Sequence, residues 1–244
     1  FTVMLEGALE HKDSMGNGRQ LKPGQIQLMS AGRGVTHSEF NPSKTEAGHL
    51  LQIWIHPSQR GLTPSYTEWH PDTASEAAPK VLVISSDGRD RSATIQQDAD
   101  VYRIRLSKDE TNSHQLRNNR GLWFQLIKGN VTVGDATLEP GDAVSTEAAG
   151  TLSFIATTDA EGLQDVAGVG VEMDHVAVGH GGAPLQADAE LFAQFPLHLE
   201  GVRADAVHLV DERDARHFVA LHLAIDSDRL RLHTAHRAEY EHGA

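Results

Sequence analysis

Short runs of alternating apolar and polar residues fill the first 57 residues of the chain. In the first run, Phe1, Val3 and Leu5 alternate with Thr2, Met4 and Glu6. A period of two is the pattern of a half-buried strand. Glycine and proline turns separate the runs at a spacing of about ten residues, which is typical of a β-sandwich or barrel. The pattern therefore predicts an all-β fold.

The hydrophobic pattern divides the chain into four segments. Residues 1–57 and 81–157 carry the strand pattern, while proline, Thr, Ser, Ala and Glu fill residues 58–80, which predicts a linker. Residues 158–244 differ in composition from everything before them. We expect a first barrel that lacks its N-terminal strands, a linker, a second barrel and a C-terminal tail of uncertain structure.

The second barrel repeats the order of strands and turns of the first. The segment Leu126–Val133 resembles Met4–Glu10, and the turn Glu139-Pro140-Gly141 resembles Lys22-Pro23-Gly24. Proline fixes φ at one turn position and glycine accepts a positive φ at the next. The repeat predicts a duplicated β-barrel.

The tail at 158–244 contains no Asn, Lys or Trp, but holds nine of the 15 histidines of the chain. A histidine-rich tract can bind metal. These histidines are spread out, however, and His233 and His236 are the only close pair. We expect a weakly ordered acidic tail, and an end that is not a native partner of the β part remains an alternative.

Charge and composition narrow the classes of function. The 244 residues carry a formal net charge of −13, which argues against non-specific binding to nucleic acid or to anionic membranes. No apolar run approaches the roughly 18 residues of a membrane span. The absence of cysteine excludes disulfides and thiolate sites. We expect a cytoplasmic protein.

The stretch from Gly32 to Phe40 carries the candidate chemistry. A glycine-rich turn leads into a predicted strand, in which His37 and Glu39 project to one face and Ser38 to the other. A neutral imidazole beside a carboxylate suits a divalent metal with open coordination positions. Taken alone, an exposed polar pair on a strand is the commoner explanation. His114 is isolated and is predicted to be a surface or hydrogen-bonded histidine.

Three strings of residues resemble the pirin family of bicupins. They are the segment from Leu5 to Gly18, the segment from Leu21 to Ser43 and the run Gln52-Ile53-Trp54-Ile55. Residues 81–157 resemble, less sharply, the second and metal-free cupin of bacterial members. The resemblance implies two β-barrel or jelly-roll cupin domains.

The resemblance also implies a metal site in the first barrel. Family members hold one divalent metal, commonly iron, through three histidines and one glutamate, and His37 and Glu39 match the last two ligands. The first two come from a His-X-His strand that would precede residue 1, so this chain is expected to bind metal weakly. His11, His49 and His56 are not expected to substitute for them.

The implied activity is that of a quercetin 2,3-dioxygenase, which opens the central ring of a flavonol with dioxygen and releases carbon monoxide. Glu39 would act as ligand and general base toward the flavonol 3-hydroxyl, and His37 would hold the ion. Fe(II) is the expected metal, with Mn, Co, Ni or Cu as alternatives, because imidazole and carboxylate ligands accept them all.

The residues are compatible with two other functions. One is a metal-containing regulatory pirin that acts through a protein partner without turnover, and the ligand set does not distinguish it from the enzyme. The other is an inactive partial cupin.

Overall fold

The structure, a computed structural model, describes residues 1–171, 173–178, 219–220 and 231–233. Within that part, β-strands dominate and the helices are short: helix α1 at Thr73–Ala77 and a 3-10 turn at Arg89–Arg91. No helix of the described residues is long and apolar enough to cross a bilayer. The prediction of an all-β fold is confirmed.

Residues 1–54 and 59–70 belong to a first compact unit. A six-stranded sheet runs in the order β19-β18-β6-β1-β4-β7, and a three-stranded sheet in the order β3-β2-β5. The strands are β1 Thr2–Glu6, β2 Leu9–Asp13, β3 Gly18–Leu21, β4 Ile26–Ser30, β5 His37–Phe40, β6 His49–Ile55, β7 Ser65–Trp69, β18 Met173–Val178 and β19 Val219–Ala220.

Residues 71–173 belong to a second unit with its own core. A seven-stranded sheet runs in the order β20-β15-β12-β17-β10-β8-β9, and a four-stranded sheet in the order β11-β16-β13-β14. The strands are β8 Lys80–Ser85, β9 Ala93–Thr94, β10 Ala99–Leu106, β11 Thr111–Leu116, β12 Arg120–Lys128, β13 Val131–Val133, β14 Ala136–Leu138, β15 Ala143–Thr146, β16 Gly150–Ala156, β17 Ala160–Gly168 and β20 Arg231–His233.

The apolar core of the second unit lies between its two sheets. Phe124 on β12 and Phe154 on β16 meet with ring centroids 4.4 Å apart, and both are buried. Such aromatic pairs add to the stability that area burial provides. A smaller apolar cluster in the first unit consists of Met4, Leu9, Leu21 and Leu50.

The duplication is visible in the hydrogen bonds of the two proline-glycine turns. In the first, Gln25 N donates to Lys22 O at 3.0 Å, and Gly24 N donates to Met4 O at 2.8 Å. The second turn repeats both bonds with different residues. Asp142 N donates to Glu139 O at 2.9 Å, and Gly141 N donates to Leu126 O at 3.0 Å. Gly24 and Gly141 both have positive φ, as the turn requires. Met4 and Leu126 are therefore equivalent positions.

The structure corrects the predicted boundaries of the barrels. The segment expected to be a linker, 58–80, contains β7, which pairs with β4, and so extends the first barrel. The second barrel continues past residue 157, because β17 lies between β10 and β12. The period-two signal is weak in both strands, since β7 is polar and β17 is buried on both faces. The rest of the tail prediction, including His236, lies outside the described residues.

Gly129 occupies a position that only glycine accepts. Its φ is +79°, and an added Cβ would lie 2.1 Å from the carbonyl oxygen of Asp159. The equivalent Gly7 has φ +76° and would meet the carbonyl oxygen of Ala47 at 2.3 Å. Gly134 has φ +59° with open space around it, which makes it a matched control.

We expect Gly129→Ala to lower the free energy of unfolding by about 2–4 kcal/mol, because it adds a backbone clash to the left-handed strain. Gly134→Ala carries the strain alone and should cost about 1 kcal/mol. Denaturant unfolding followed by tryptophan fluorescence measures both. Equal losses of unfolding free energy in the two variants would show that the close approach of Gly129 to Asp159 does not affect stability.

Candidate functional site

The glycine-rich turn fixes the start of strand β5. Gly32 has φ +53°, and an added Cβ would lie 2.2 Å from the carbonyl oxygen of Leu62. The next residue, Arg33, donates its backbone N–H to the same oxygen at 2.8 Å. The turn is thus held against the chain segment before β7, and β5 begins directly after it.

The pairing of β5 with β2 assembles four polar side chains on the inner face of the first barrel. Glu39 lies directly opposite His11, and His37 lies directly opposite Asp13. Residues opposite each other in an antiparallel pair point to the same side. The rings of His11 and His37 accordingly stack with centroids 5.6 Å apart.

Two glutamines from the facing sheet complete the surroundings of Glu39. Gln52 on β6 donates through Nε2 to Glu39 Oε2 at 2.9 Å, and Gln27 on β4 donates to Oε1. Both glutamines lie opposite Thr2 in the six-stranded sheet, which places them on one face. The side chain of Glu39 is only 9% exposed. Each carboxylate oxygen therefore has an amide donor in place of water.

The surrounding charges keep Glu39 ionised. Burial by itself would raise the pKa of Glu39, but the hydrogen bond with His11 and the electrostatic effect of the two neighbouring imidazoles outweigh it, so the pKa lies below its usual value. His11 Nδ1 lies 3.4 Å from Glu39 Oε1, and His11 Nε2 lies 3.2 Å from Asp13 Oδ2. Burial lowers the pKa of His11, yet these two carboxylates raise it overall. Asp13, His11 and Glu39 thus form an internal chain of hydrogen-bonded side chains.

His37 is the neutral partner in this group. Burial is the main cause of its lowered pKa, with the positive charge of His11 adding to it against the opposing effect of Glu39. The Nδ1 atom of His37 is buried, and it has no hydrogen-bond partner among the described residues. A neutral imidazole with an unused nitrogen is the form that binds metal ions.

His37 and Glu39 fit a divalent metal in the chemistry of their donors. Two donors are fewer than a stable metal site needs. The described residues contain no group of three or more His, Cys, Asp or Glu side chains arranged to hold an ion. The pair alone would leave the remaining coordination positions of an ion to other ligands.

The structure places both sequence-predicted residues in one site and adds others. His37 and Glu39 share a face, as their spacing predicted. His11, which sequence reasoning set aside because it stands beside a turn, is fully buried against Glu39. The signal for it was the His11-X-Asp13 spacing, which repeats the alternation of His37-X-Glu39. Gln27 and Gln52 gave no signal, because only the sheet pairing brings them to the site.

The second barrel has apolar residues where the first has its acid and histidine. Thr132 pairs with Ile155 as the equivalent Glu10 pairs with Phe40. Phe154 therefore stands at the position of Glu39, and Leu152 at that of His37.

The chain is similar to known proteins over both barrels. The family model described as Pirin matches residues 1–55, and the one described as Quercetinase C-terminal cupin domain matches residues 82–164. The quercetin 2,3-dioxygenase of Escherichia coli strain K12 is 44% identical over 163 residues, which cover 67% of this chain and 69% of that protein.

Solved structures show the same relationship. The crystal structure of YhhW from Escherichia coli has a TM-score of 0.65 at 43% identity and covers 68% of this chain and 70% of that one. The bacterial pirin YhhW in complex with nickel(II) has a TM-score of 0.65 at 41% identity and covers 68% of this chain and 71% of the other.

The hydrogen bond between Gln52 and Glu39 can be measured by a double-mutant cycle. We expect Gln52→Leu and Glu39→Gln to show a coupling energy of about 2 kcal/mol, since a bond to a buried charged acceptor is stronger than a neutral one. Denaturant unfolding of the four proteins in the cycle gives the value. Gln20→Leu, at an exposed position, should show no coupling to Glu39→Gln. A coupling near zero for Gln52 would contradict the assigned contact.

Proposed function

Because this chain belongs to the pirin family, we propose that it is a metal-dependent dioxygenase of the pirin type that opens the ring of a quercetin-like flavonol with dioxygen. The observation that carries the proposal is the pair of a neutral His37 and an ionised Glu39, held together on the inner face of the first barrel. The names of the relatives support it, since the Escherichia coli protein that matches both barrels is a quercetin 2,3-dioxygenase.

The metal of the proposal is a divalent ion held by His37 and Glu39, with further ligands beyond the described group. The nickel(II) complex of the bacterial pirin YhhW supports a divalent ion, and Fe(II) is the metal we expect in this chain. When bound, such an ion lowers the pKa of a hydroxyl group that coordinates it.

Glu39 is the proposed general base. It is ionised at neutral pH, and the amides of Gln27 and Gln52 together with His11 hold its carboxylate in one orientation. A base in a fixed position takes the proton of the flavonol 3-hydroxyl without first reorganising. The resulting flavonolate is electron-rich and reacts with dioxygen.

The apolar part of the barrel protects this chemistry from water. Met4, Leu9, Leu21 and Leu50 form a buried cluster, and their strand positions place them on the same inner faces as the polar group. Exclusion of water strengthens each electrostatic contact inside the site. A flat aromatic substrate suits such a lining.

We expect Glu39→Ala to reduce flavonol turnover at least a hundredfold, which is the usual contribution of a general base. Glu46→Ala removes a carboxylate from an exposed position in the loop after β5 and should leave turnover unchanged. The assay follows the loss of flavonol absorbance under air. Undiminished turnover in Glu39→Ala would remove Glu39 from the mechanism.

Metal content tests the ligand assignment independently of turnover. We expect elemental analysis to find stoichiometric divalent metal in a chain carrying an upstream His-X-His strand, with loss of that metal in His37→Gln and in Glu39→Gln. Stoichiometric metal that survives both substitutions would mean that other residues bind it, and metal-free protein without turnover in every form would favour the regulatory or inactive function.

A further inference from the structure

A second polar cluster lies on the inner face of the second barrel. Tyr102 on β10 stands opposite Gln164 on β17, and Lys80 on β8 stands opposite Ile104, which is part of the apolar core. Lys80, Tyr102 and Gln164 therefore point to the same side as the core. We call Lys80, Tyr102, Asn112, His114 and Gln164 the lysine cluster.

The facing sheet contributes the other two members of the cluster. Asn112 and His114 on β11 stand opposite Phe154 and Leu152, both of which belong to or pack against the core. The half-buried His114 confirms the prediction of a hydrogen-bonded histidine, since two side chains contact its Nδ1 atom. The cluster thus joins both sheets across the barrel interior.

Its hydrogen bonds define the protonation state of His114. Lys80 Nζ lies 3.2 Å from His114 Nδ1, and Gln164 Nε2 lies 3.0 Å from the same atom. An ammonium and an amide nitrogen can only donate, so Nδ1 accepts and the ring carries its proton on Nε2. Gln164, which is fully buried, accepts from Lys80 through Oε1 at 3.3 Å and so holds both groups in place.

Lys80 has no carboxylate partner within the part of the chain that the structure describes. Among the described residues, no Asp or Glu oxygen lies within 4.0 Å of its ammonium group, although Arg89 and Arg105 of the same barrel each pair with carboxylates. Its neighbours are the neutral His114 and Gln164 and the ring of Tyr102, whose centroid lies 4.6 Å away. Burial without a counter-charge lowers the pKa of Lys80 to about 8. The ammonium form still dominates at neutral pH, but the fraction present as free amine is larger than for an ordinary lysine.

The duplication places this cluster at a position related to the first site. Because Met4 and Leu126 are equivalent, Thr2 is equivalent to Phe124. Thr2 pairs with Gln52 and Phe124 pairs with Gln164, so the two glutamines occupy the same place in their barrels. In the first barrel this amide donates to a carboxylate. In the second it accepts from a lysine and donates to a histidine. The glutamine at this interior position therefore contacts an acidic side chain in the first barrel and basic side chains in the second.

We propose that Lys80 is the nucleophile of a second site, where its amine condenses with a small aldehyde or ketone to form a Schiff base. Amines in partly desolvated surroundings without a counter-charge are suited to this reaction. The cluster is independent of metal, and nothing in the proposal depends on flavonol turnover.

The step balances with groups of the cluster. The ammonium of Lys80 first gives one proton to Nδ1 of His114, and the neutral amine then adds to the carbonyl carbon to form a C–N bond. The carbonyl C–O bond breaks, and the oxygen leaves as water with one proton from the nitrogen and one returned by His114. A protonated imine remains, and no oxidation or reduction occurs. Gln164 is a positioning residue, because it sets the distance between Lys80 and His114.

The experiment traps the imine on the intact chain. Benzaldehyde at pH 7.5 with borohydride reduction converts the imine to a stable amine, which peptide mapping by mass spectrometry locates. We expect Lys80 to be labelled at least about ten times faster than the exposed Lys12 and Lys108, and Lys80→Met to lose this labelling. Labelling of Lys80 no faster than the exposed lysines would overturn the proposal, and this comparison needs no variant.

A charge-adding variant tests the network. Gln164→Glu keeps the shape but gives Lys80 a carboxylate partner, so it should slow labelling of Lys80 about tenfold and move its pH midpoint upward from about 8. Gln115→Glu adds the same charge at an exposed position of β11 and should change neither. The titratable groups that face Lys80 are Tyr102 and His114, and Arg117 and Asp100 act on His114. Unchanged labelling in Gln164→Glu would contradict the assigned surroundings.

Discussion

A carboxylate inside a β-barrel must find hydrogen-bond donors there, and in the first barrel this requirement of Glu39 determines what surrounds it. Both glutamine amides and the imidazole of His11 are directed at its oxygens. Their charges and dipoles keep the acid ionised in spite of burial, and Asp13 in turn compensates His11. The inner face of the barrel is polar at this end because one buried charge requires each of these partners.

The strands and the candidate pair could be predicted from the sequence because both depend on local periodicity. The alternation of Phe1, Val3 and Leu5 predicted the strand β1, although Thr2, Val3 and Met4 are all buried and the strand is not half-exposed. The spacing of His37 and Glu39 predicted their common face. The site beyond that pair depends on which strands become neighbours. Gln52 reaches Glu39 only because β6 pairs with β1 in a fixed register, which no local pattern encodes.

The same limit explains the boundaries that were misplaced. Strand β17 is buried along nearly its whole length, so its pattern of burial does not alternate, and the polar β7 lacks apolar residues at alternate positions. The duplication itself could be predicted from the sequence, because backbone geometry requires proline and glycine at the two turns. The replacement of Glu39 by Phe154 in the second barrel could not be predicted from the sequence. The two residues lie at different distances from their proline-glycine turns, and only the strand pairing shows that they are equivalent.

The pairing of β2 with β5 also bears on how the protein folds. His11 lies in the short β2–β3 hairpin, whose two strands are close in sequence. Glu39 is 28 residues further along the chain, so its pairing with His11 is a long-range contact that forms slowly. A slip of one residue in that pairing would turn Ser38 and Phe40 inward and His37 and Glu39 outward. The barrel would retain most of its backbone hydrogen bonds, yet its interior would have lost its acid. Correct register is thus a condition for assembling the Glu39 site that is separate from the condition for compactness, and a misregistered chain would be a folded species without that site.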